Sequence, residues 1–192
     1  MSMRSDIAKR FSASAATYDR HAAVQQAVAL HLAGLLPDSA PSRMLEIGCG
    51  TGIMTDRLLV HYPDALLDAI DLSEAMIRHC RARWIDEKRV SWQTVDLLRF
   101  ESKYKYPLIV SSAALHWVQP LADTFRKVAG LLAPGGALVI ALMVRGTLAE
   151  LMESRRRVAP GKLPTVSLPA VEDVRAALDA AGLHVDEECE DS

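Results

Sequence analysis

The chain has 192 residues, half of them hydrophobic, and a formal net charge of −2 with both signs mixed. That length and apolar content suit one well-cored domain, and the charge balance supplies no overall field to draw nucleic acid. Cys49, Cys80 and Cys189 are too widely spaced for a disulfide framework or a paired metal-ligand motif, no signal-peptide core or membrane-length apolar run is present, and a cytoplasmic protein without a membrane partner or a metal is expected.

A short helix is expected over Ser5–Arg10, then a stretch of small residues carrying the aromatics Phe11 and Tyr18. A longer helix should run from about Arg20 to Leu36, where Val24, Val28, Leu32 and Leu35 share one face and Pro37 closes the segment. Arg43–Ile47 has the composition of a buried parallel strand. It stops in Gly48-Cys49-Gly50-Thr51-Gly52, and an apolar-periodic helix follows from Ile53 until Pro63 ends it. Three glycines at alternate positions between a strand and a helix mark a turn whose backbone adopts conformations denied to side chains, or lets a ligand approach the main chain closely.

A second strand, Leu66–Ile70, ends in Asp71, and Ser73 is a ready N-cap for a helix to about Trp84. The third strand, Val90–Val95, ends at Asp96. Leu108–Ser111 is the fourth, followed by Ser112-Ala113-Ala114-Leu115-His116-Trp117. A helix from about Leu121 to Leu132 halts before Pro134-Gly135-Gly136, and Ala137–Met143 is the fifth strand. Beyond it Gly146–Arg157 has a helical pattern, Val158–Pro169 is rich in proline, Ala170–Ala181 is a helix stopped by Gly182, and His184–Cys189 is the candidate for a sixth strand before an acidic tail. The alternation specifies an α/β fold, a Rossmann-like doubly wound, mostly parallel sheet with helices on both faces.

Ligands of such sheets bind outside the carboxyl ends of the strands, where Glu46, Asp71, Asp96 and the segment Ser111–Trp117 converge. Asp71 stands at the distance from the glycine turn where a dinucleotide fold places its ribose-binding carboxylate, and two acceptor oxygens match a vicinal diol. The turn itself departs from the nicotinamide pattern. Its third glycine comes one residue early, and Glu46 stands just before the first glycine, where a pyrophosphate would be repelled and a cation welcomed. A ribose-bearing, positively charged cofactor without phosphates is implied, and S-adenosylmethionine fits that description.

Glu46-Ile47-Gly48-Cys49-Gly50-Thr51-Gly52, Asp71-Leu72-Ser73-Glu74-Ala75-Met76, Val95-Asp96-Leu97 and Leu132-Ala133-Pro134-Gly135-Gly136 resemble, in order, the motifs of the class I S-adenosylmethionine-dependent methyltransferases. The resemblance implies that Glu46, Gly48, Gly50 and Gly52 hold the methionine part of the cofactor and of its product S-adenosylhomocysteine. It also implies that Asp71 binds the ribose, that Leu72 and Met76 enclose the adenine, and that Asp96 with Leu97 receives its amino group, Ser111 completing the set. That fold usually ends in a seventh, antiparallel strand, which this sequence is too short to supply.

Phe11, Tyr18 and Gln25, with Ala114-Leu115-His116-Trp117-Val118 and Gly146-Thr147-Leu148-Ala149-Glu150-Leu151, are similar to the malonyl-acyl-carrier-protein O-methyltransferases of early biotin synthesis. The division implied is an N-terminal helical lid over residues 1–36, a cofactor-binding core over 37–143 and substrate-side helices over 144–192. Tyr18 would close over the cofactor. Tyr18, His116 and Arg145 are the expected catalytic group, the planar fork of Arg145 orienting an acceptor carboxylate just past the fifth strand. Arg155-Arg156-Arg157 with Lys162 would form the docking face for an acidic acyl carrier protein. His-Trp sequences also resemble enzymes acting on free small acids such as trans-aconitate. Other small-molecule acceptors, and a cofactor-binding module without turnover, are the alternatives.

Overall fold

The computed structural model of the chain describes residues 22–147, 157 and 168–189. The expected helix at Ser5–Arg10, the aromatics Phe11 and Tyr18, and most of the expected helix Gly146–Arg157 lie outside the described residues.

Five strands form one sheet: β1 (Arg43–Ile47), β2 (Leu66–Asp71), β3 (Val90–Thr94), β4 (Tyr106–Ser112) and β5 (Leu132–Ala141). Their order is β3-β2-β1-β4-β5, and every neighbouring pair is parallel. The helices are α1 (Ala23–Gly34), α2 (Ile53–His61), α3 (Glu74–Arg83), α4 (Leu121–Leu131) and α5 (Val171–Ala180). From β1 the chain builds outward through β2 and β3, then returns to the other side of β1 for β4 and β5. The reversal opens a crevice at the carboxyl ends of β1 and β4.

Because successive strand residues point to opposite faces, each strand feeds two apolar layers. Met44, Leu67, Ala69, Leu108 and Val110 pack with Ala29 and Leu32 of α1, Leu58 of α2 and Ile77 of α3. Leu45, Ile47, Ile70 and Ile109 pack with Phe125 and Val128 of α4 and with Val174 and Ala177 of α5. One polar residue interrupts β2, and it is fully partnered as a half-buried charge must be. The Asp68 carboxylate accepts from Arg43 at 2.9 and 3.0 Å and from the Tyr106 hydroxyl at 2.9 Å.

Local signals fix the helix ends. Ser73 accepts from the Met76 N–H at the start of α3, and Gly182, at φ +73°, ends α5 while the Leu183 N–H reaches back to the Leu178 carbonyl. Three expectations are corrected. The buried face of α1 is Ala29 and Leu32, whereas Val24 is 46% exposed; a small residue lets the helix approach the sheet, and a pattern weighted by bulky aliphatics overlooks it. β5 begins at Leu132 rather than Ala137, with a register irregularity opposite Tyr106–Leu108 that accommodates Pro134-Gly135-Gly136. His184–Cys189 forms no strand. Its acidic side chains keep to solvent, and Glu188 pairs with Arg175 of α5 through two hydrogen bonds.

Among the described residues no helix is long and apolar enough to cross a membrane. Phe125 is fully buried at the centre of the α4 layer, so Phe125→Ala should lower unfolding free energy by ~3–5 kcal/mol in urea titrations. A loss below about 1 kcal/mol would contradict that placement.

Candidate active site

The glycine turn is held from the β2 side. The N–H groups of Gly48 and Cys49 both donate to the Ile70 carbonyl, at 2.8 and 3.1 Å. The Gly50 N–H donates to one oxygen of Asp71 at 2.9 Å, and the Ser73 N–H donates to the other at 2.7 Å. Gly48, Gly50 and Gly52 all have positive φ, at +74°, +55° and +88°, which is why a side chain is excluded there. Gly48 is also pressed against the loop after β4: a Cβ on it would lie 2.3 Å from the Ala114 Cβ.

Glu46 shares a sheet face with Met44 and is therefore directed beneath α2, where it is 1% exposed. The Thr55 hydroxyl donates to it at 2.6 Å. Burial pushes its pKa up to about 8; the Thr55 hydrogen bond opposes the rise, and the carboxylates of Asp71 and Asp56 add to it. Asp71 is also raised by burial, although the N–H groups of Ser73 and Gly50 stabilise its ionised form.

These groups line one cleft. Glu46 and the turn form its floor, Asp71, Leu72 and Met76 one side, Val95, Asp96 and Leu97 the next, and Ala113, Ala114, Trp117 and Val118 the wall after β4, with Gln25 reaching in from α1. Asp96 accepts from the Leu98 N–H and caps the short turn over residues 97–99. Among the described residues that line the cleft there is no lysine, arginine or histidine.

Glu46, Gly48, Gly50, Asp71, Leu72, Met76, Asp96 and Leu97 are thus brought together as expected from the sequence. Other candidates are not. Gly52 lies behind the turn at the start of α2, and Ser111 is fully buried, its hydroxyl donating to the Ile47 carbonyl at 2.8 Å and tying β4 to β1, while Ser112 faces the cleft. His116 is buried and absent from the cleft wall. Its Nδ1 accepts from the Met143 N–H at 3.4 Å, its Nε2 has no partner among the described residues, and burial holds its pKa down to about 4, so it is neutral near pH 7 and too weak a base for proton abstraction there.

The short helical turn Leu115–Trp117 presents Trp117 to the cleft instead. Arg145 is exposed, lining a separate surface pocket with Gln119, Leu121, Pro169 and Asp173. The loop past β5 swings toward α5, the Arg145 N–H bonding the Pro169 carbonyl at 2.7 Å. Tyr18 lies outside the described residues, as do Arg155, Arg156 and Lys162; Arg157 is exposed. Sequence reasoning missed Thr55, while Ala113 and Val118 entered it only within the segments Ser111–Trp117 and Ala114–Val118. Within those segments the His-Trp pair was singled out for its His116, and it is the next residue, Trp117, that faces the cleft.

Residues 45–138 match the family model described as a methyltransferase domain. The chain is 33% identical over 190 residues to a malonyl-[acyl-carrier protein] O-methyltransferase of Hahella chejuensis, covering 98% of this chain and 67% of that protein. This chain belongs to that methyltransferase family. It is also 30% identical over 172 residues to a malonyl-[acyl-carrier protein] O-methyltransferase of Ilyobacter polytropus, covering 89% of this chain and 66% of that one. The chain therefore spans about two thirds of the length of these two methyltransferases, and about half of others. Among solved structures, the N-methyltransferase NodS of Bradyrhizobium japonicum in complex with S-adenosylhomocysteine superposes with a TM-score of 0.60 at 25% identity, covering 85% of this chain and 74% of that one. The class I methyltransferase fold is the one observed here.

The raised pKa of Glu46 carries a stability consequence. Between its ordinary value of 4.5 and about 8 the folded chain holds a proton that the unfolded chain has released, so this group lowers stability progressively as pH rises through that window. Replacing Glu46 with Gln removes the titration. The urea midpoint of Glu46→Gln relative to the unmodified protein should therefore climb between pH 5 and pH 8.5; a pH-independent difference would show that Glu46 does not titrate abnormally.

Proposed function

We propose that the protein containing this chain is an S-adenosylmethionine-dependent O-methyltransferase whose acceptor is the carboxylate of a malonyl group carried on an acyl carrier protein. The observation that carries the cofactor reading is the charge of the cleft: the buried carboxyl of Glu46 and the half-buried carboxyl of Asp71 flank a glycine turn, and the described lining offers no basic side chain. Such a lining disfavours phosphates and favours a cation. Asp71 retains lone-pair capacity for the ribose hydroxyls beyond the backbone N–H groups of Gly50 and Ser73 that it accepts from. Leu72, Met76, Val95 and Leu97 give an apolar slot of the kind an adenine ring fills, with Asp96 at its edge.

The cofactor would supply an electrophilic methyl group on a sulfonium. The chain's own residues bind and orient. Glu46 offers a countercharge once its proton leaves, and the wall of Ala113, Ala114, Trp117 and Val118 borders the side from which an acceptor would enter. A carboxylate acceptor is ionised near neutral pH, its ordinary pKa being ~4, so no general base is needed. The neutral, buried His116 is compatible with that chemistry. Alignment of reactants then accounts for most of the acceleration, and well-held geometry can supply ~7–11 kcal/mol.

The acceptor rests on the names of the relatives and on the similarity of Ala114–Val118 and Gly146–Leu151 to that family. An acyl carrier protein as partner and a cytoplasmic location belong to the same proposal. Methyl transfer from labelled cofactor should be measured to malonyl-acyl-carrier protein, trans-aconitate and free dicarboxylates. Transfer to the carrier-bound substrate at a rate at least tenfold above that to any free acid is expected. Preference for a free acid would reassign the acceptor, and cofactor binding without transfer to any of them would leave a binding module.

A further inference from the structure

We propose that the last turn of α3, with Trp84 just beyond it, sets the conformation of the glycine turn from outside the cleft, which makes Trp84 and Cys80 positioning residues for cofactor binding. The inference rests on the cleft being the cofactor site. Three neighbouring side chains meet three consecutive residues of the turn. The Cys80 thiol donates to the Gly50 carbonyl at 3.2 Å. Arg83 donates to the Thr51 carbonyl at 3.5 Å and pairs with Asp56 one turn into α2. The Trp84 ring covers Gly52 so closely that a Cβ there would lie 2.3 and 2.5 Å from two ring carbons. Arg83 in turn lies over the Trp84 ring, 4.3 Å from its centroid, and Trp92 braces that ring at 5.5 Å.

None of Cys80, Arg83 and Trp84 lines the cleft. Their effect is on the peptide planes of the turn. Glycine occupies positive and negative φ with similar ease, so a glycine turn left to itself can rotate its peptide groups at little cost. Here the N–H side of the turn is fastened to Ile70 and Asp71, and the carbonyl side is fastened to α3. The same helix carries Met76, a cleft residue, near its other end. Ten residues of helix span ~15 Å as a stiff rod, so the adenine-side wall and the glycine turn are held in one fixed relation.

The test is titration calorimetry of S-adenosylmethionine and S-adenosylhomocysteine with the unmodified chain, Trp84→Ala, Trp84→Phe, Gly52→Ala, the double variant Gly52→Ala/Trp84→Ala, Cys80→Ala and Cys80→Ser, each checked by circular dichroism. Trp84→Ala should raise both Kd values by about tenfold, with Phe recovering most of the loss, because displacement of a supporting side chain misplaces the groups it holds. Gly52→Ala should weaken binding through the collision with the ring, added to the strain of a side chain at φ +88° that the ring does not affect. Removing the ring makes room for the methyl group, so the double variant should bind no more weakly than Gly52→Ala alone, a non-additivity that independent sites do not show. If Trp84→Ala does not fold, the cysteine pair decides: Ala should weaken binding and Ser, which keeps a donor to the Gly50 carbonyl, should restore it. Unchanged affinity in folded Trp84→Ala and Cys80→Ala, or additive losses in the double variant, would overturn the positioning role alone. Failure of the unmodified chain to bind either ligand would overturn the cofactor reading beneath it.

Discussion

Two acidic side chains end adjacent parallel strands, and the glycine turn is folded over them without a basic side chain in the described lining. Burying a charge is costly unless it is paired or hydrogen-bonded, and the two residues meet that cost differently. Asp71 takes backbone N–H donors on both oxygens, and in doing so fastens the turn to the end of β2. Glu46 has the Thr55 hydroxyl and keeps its proton to about pH 8. The cleft is therefore close to neutral at its floor while retaining the capacity to become negative. A cationic ligand draws out that capacity, and an anionic one finds no basic side chain in the described lining.

The rest of the fold delivers these two groups. The order β3-β2-β1-β4-β5 puts the ends of β1 and β2 side by side, and alternation along β1 sends Glu46 toward α2 while Leu45 and Ile47 fill the opposite layer. Close approach of Gly48 to Ala114 then joins the glycine turn to the loop after β4, so the floor of the cleft and its wall after β4 are one packed unit. Ala113 has φ +52° in that loop, an uncommon value for a residue with a side chain. It marks where the chain is bent to bring Ala114 and Trp117 to the cleft.

Much of this was legible in the sequence because it is local. Short apolar runs that end in an acid, a glycine turn, and a serine before a helical pattern each fix their own element, and Glu46, Asp71, Ser73 and Asp96 were placed by such signals. What escaped depends on contacts between distant segments or on the hand of a single turn. The burial of Ala29 in place of Val24 follows from how near α1 comes to the sheet. The exchange of His116 for Trp117 at the cleft follows from one short helical turn. The path of the chain past β5, which carries Arg145 to a different pocket, follows from its bond to Pro169. The packing of Trp84 on Gly52 joins residues with no shared sequence pattern.

The cleft's charge logic is tested most directly by calorimetric titration of S-adenosylmethionine into the intact protein at pH 7, in two buffers that differ widely in ionisation enthalpy. Glu46 is flanked by Asp71 at the end of β2 and by Asp56 on α2, with Thr55 as its hydrogen-bond donor. Arrival of a positive ligand should expel its proton, so binding should occur with an enthalpy that differs between the buffers and reports proton release. Binding with a buffer-independent enthalpy would show that Glu46 does not exchange its proton for the ligand's charge, and absence of binding would contradict the cleft's assignment to a cationic adenosyl donor.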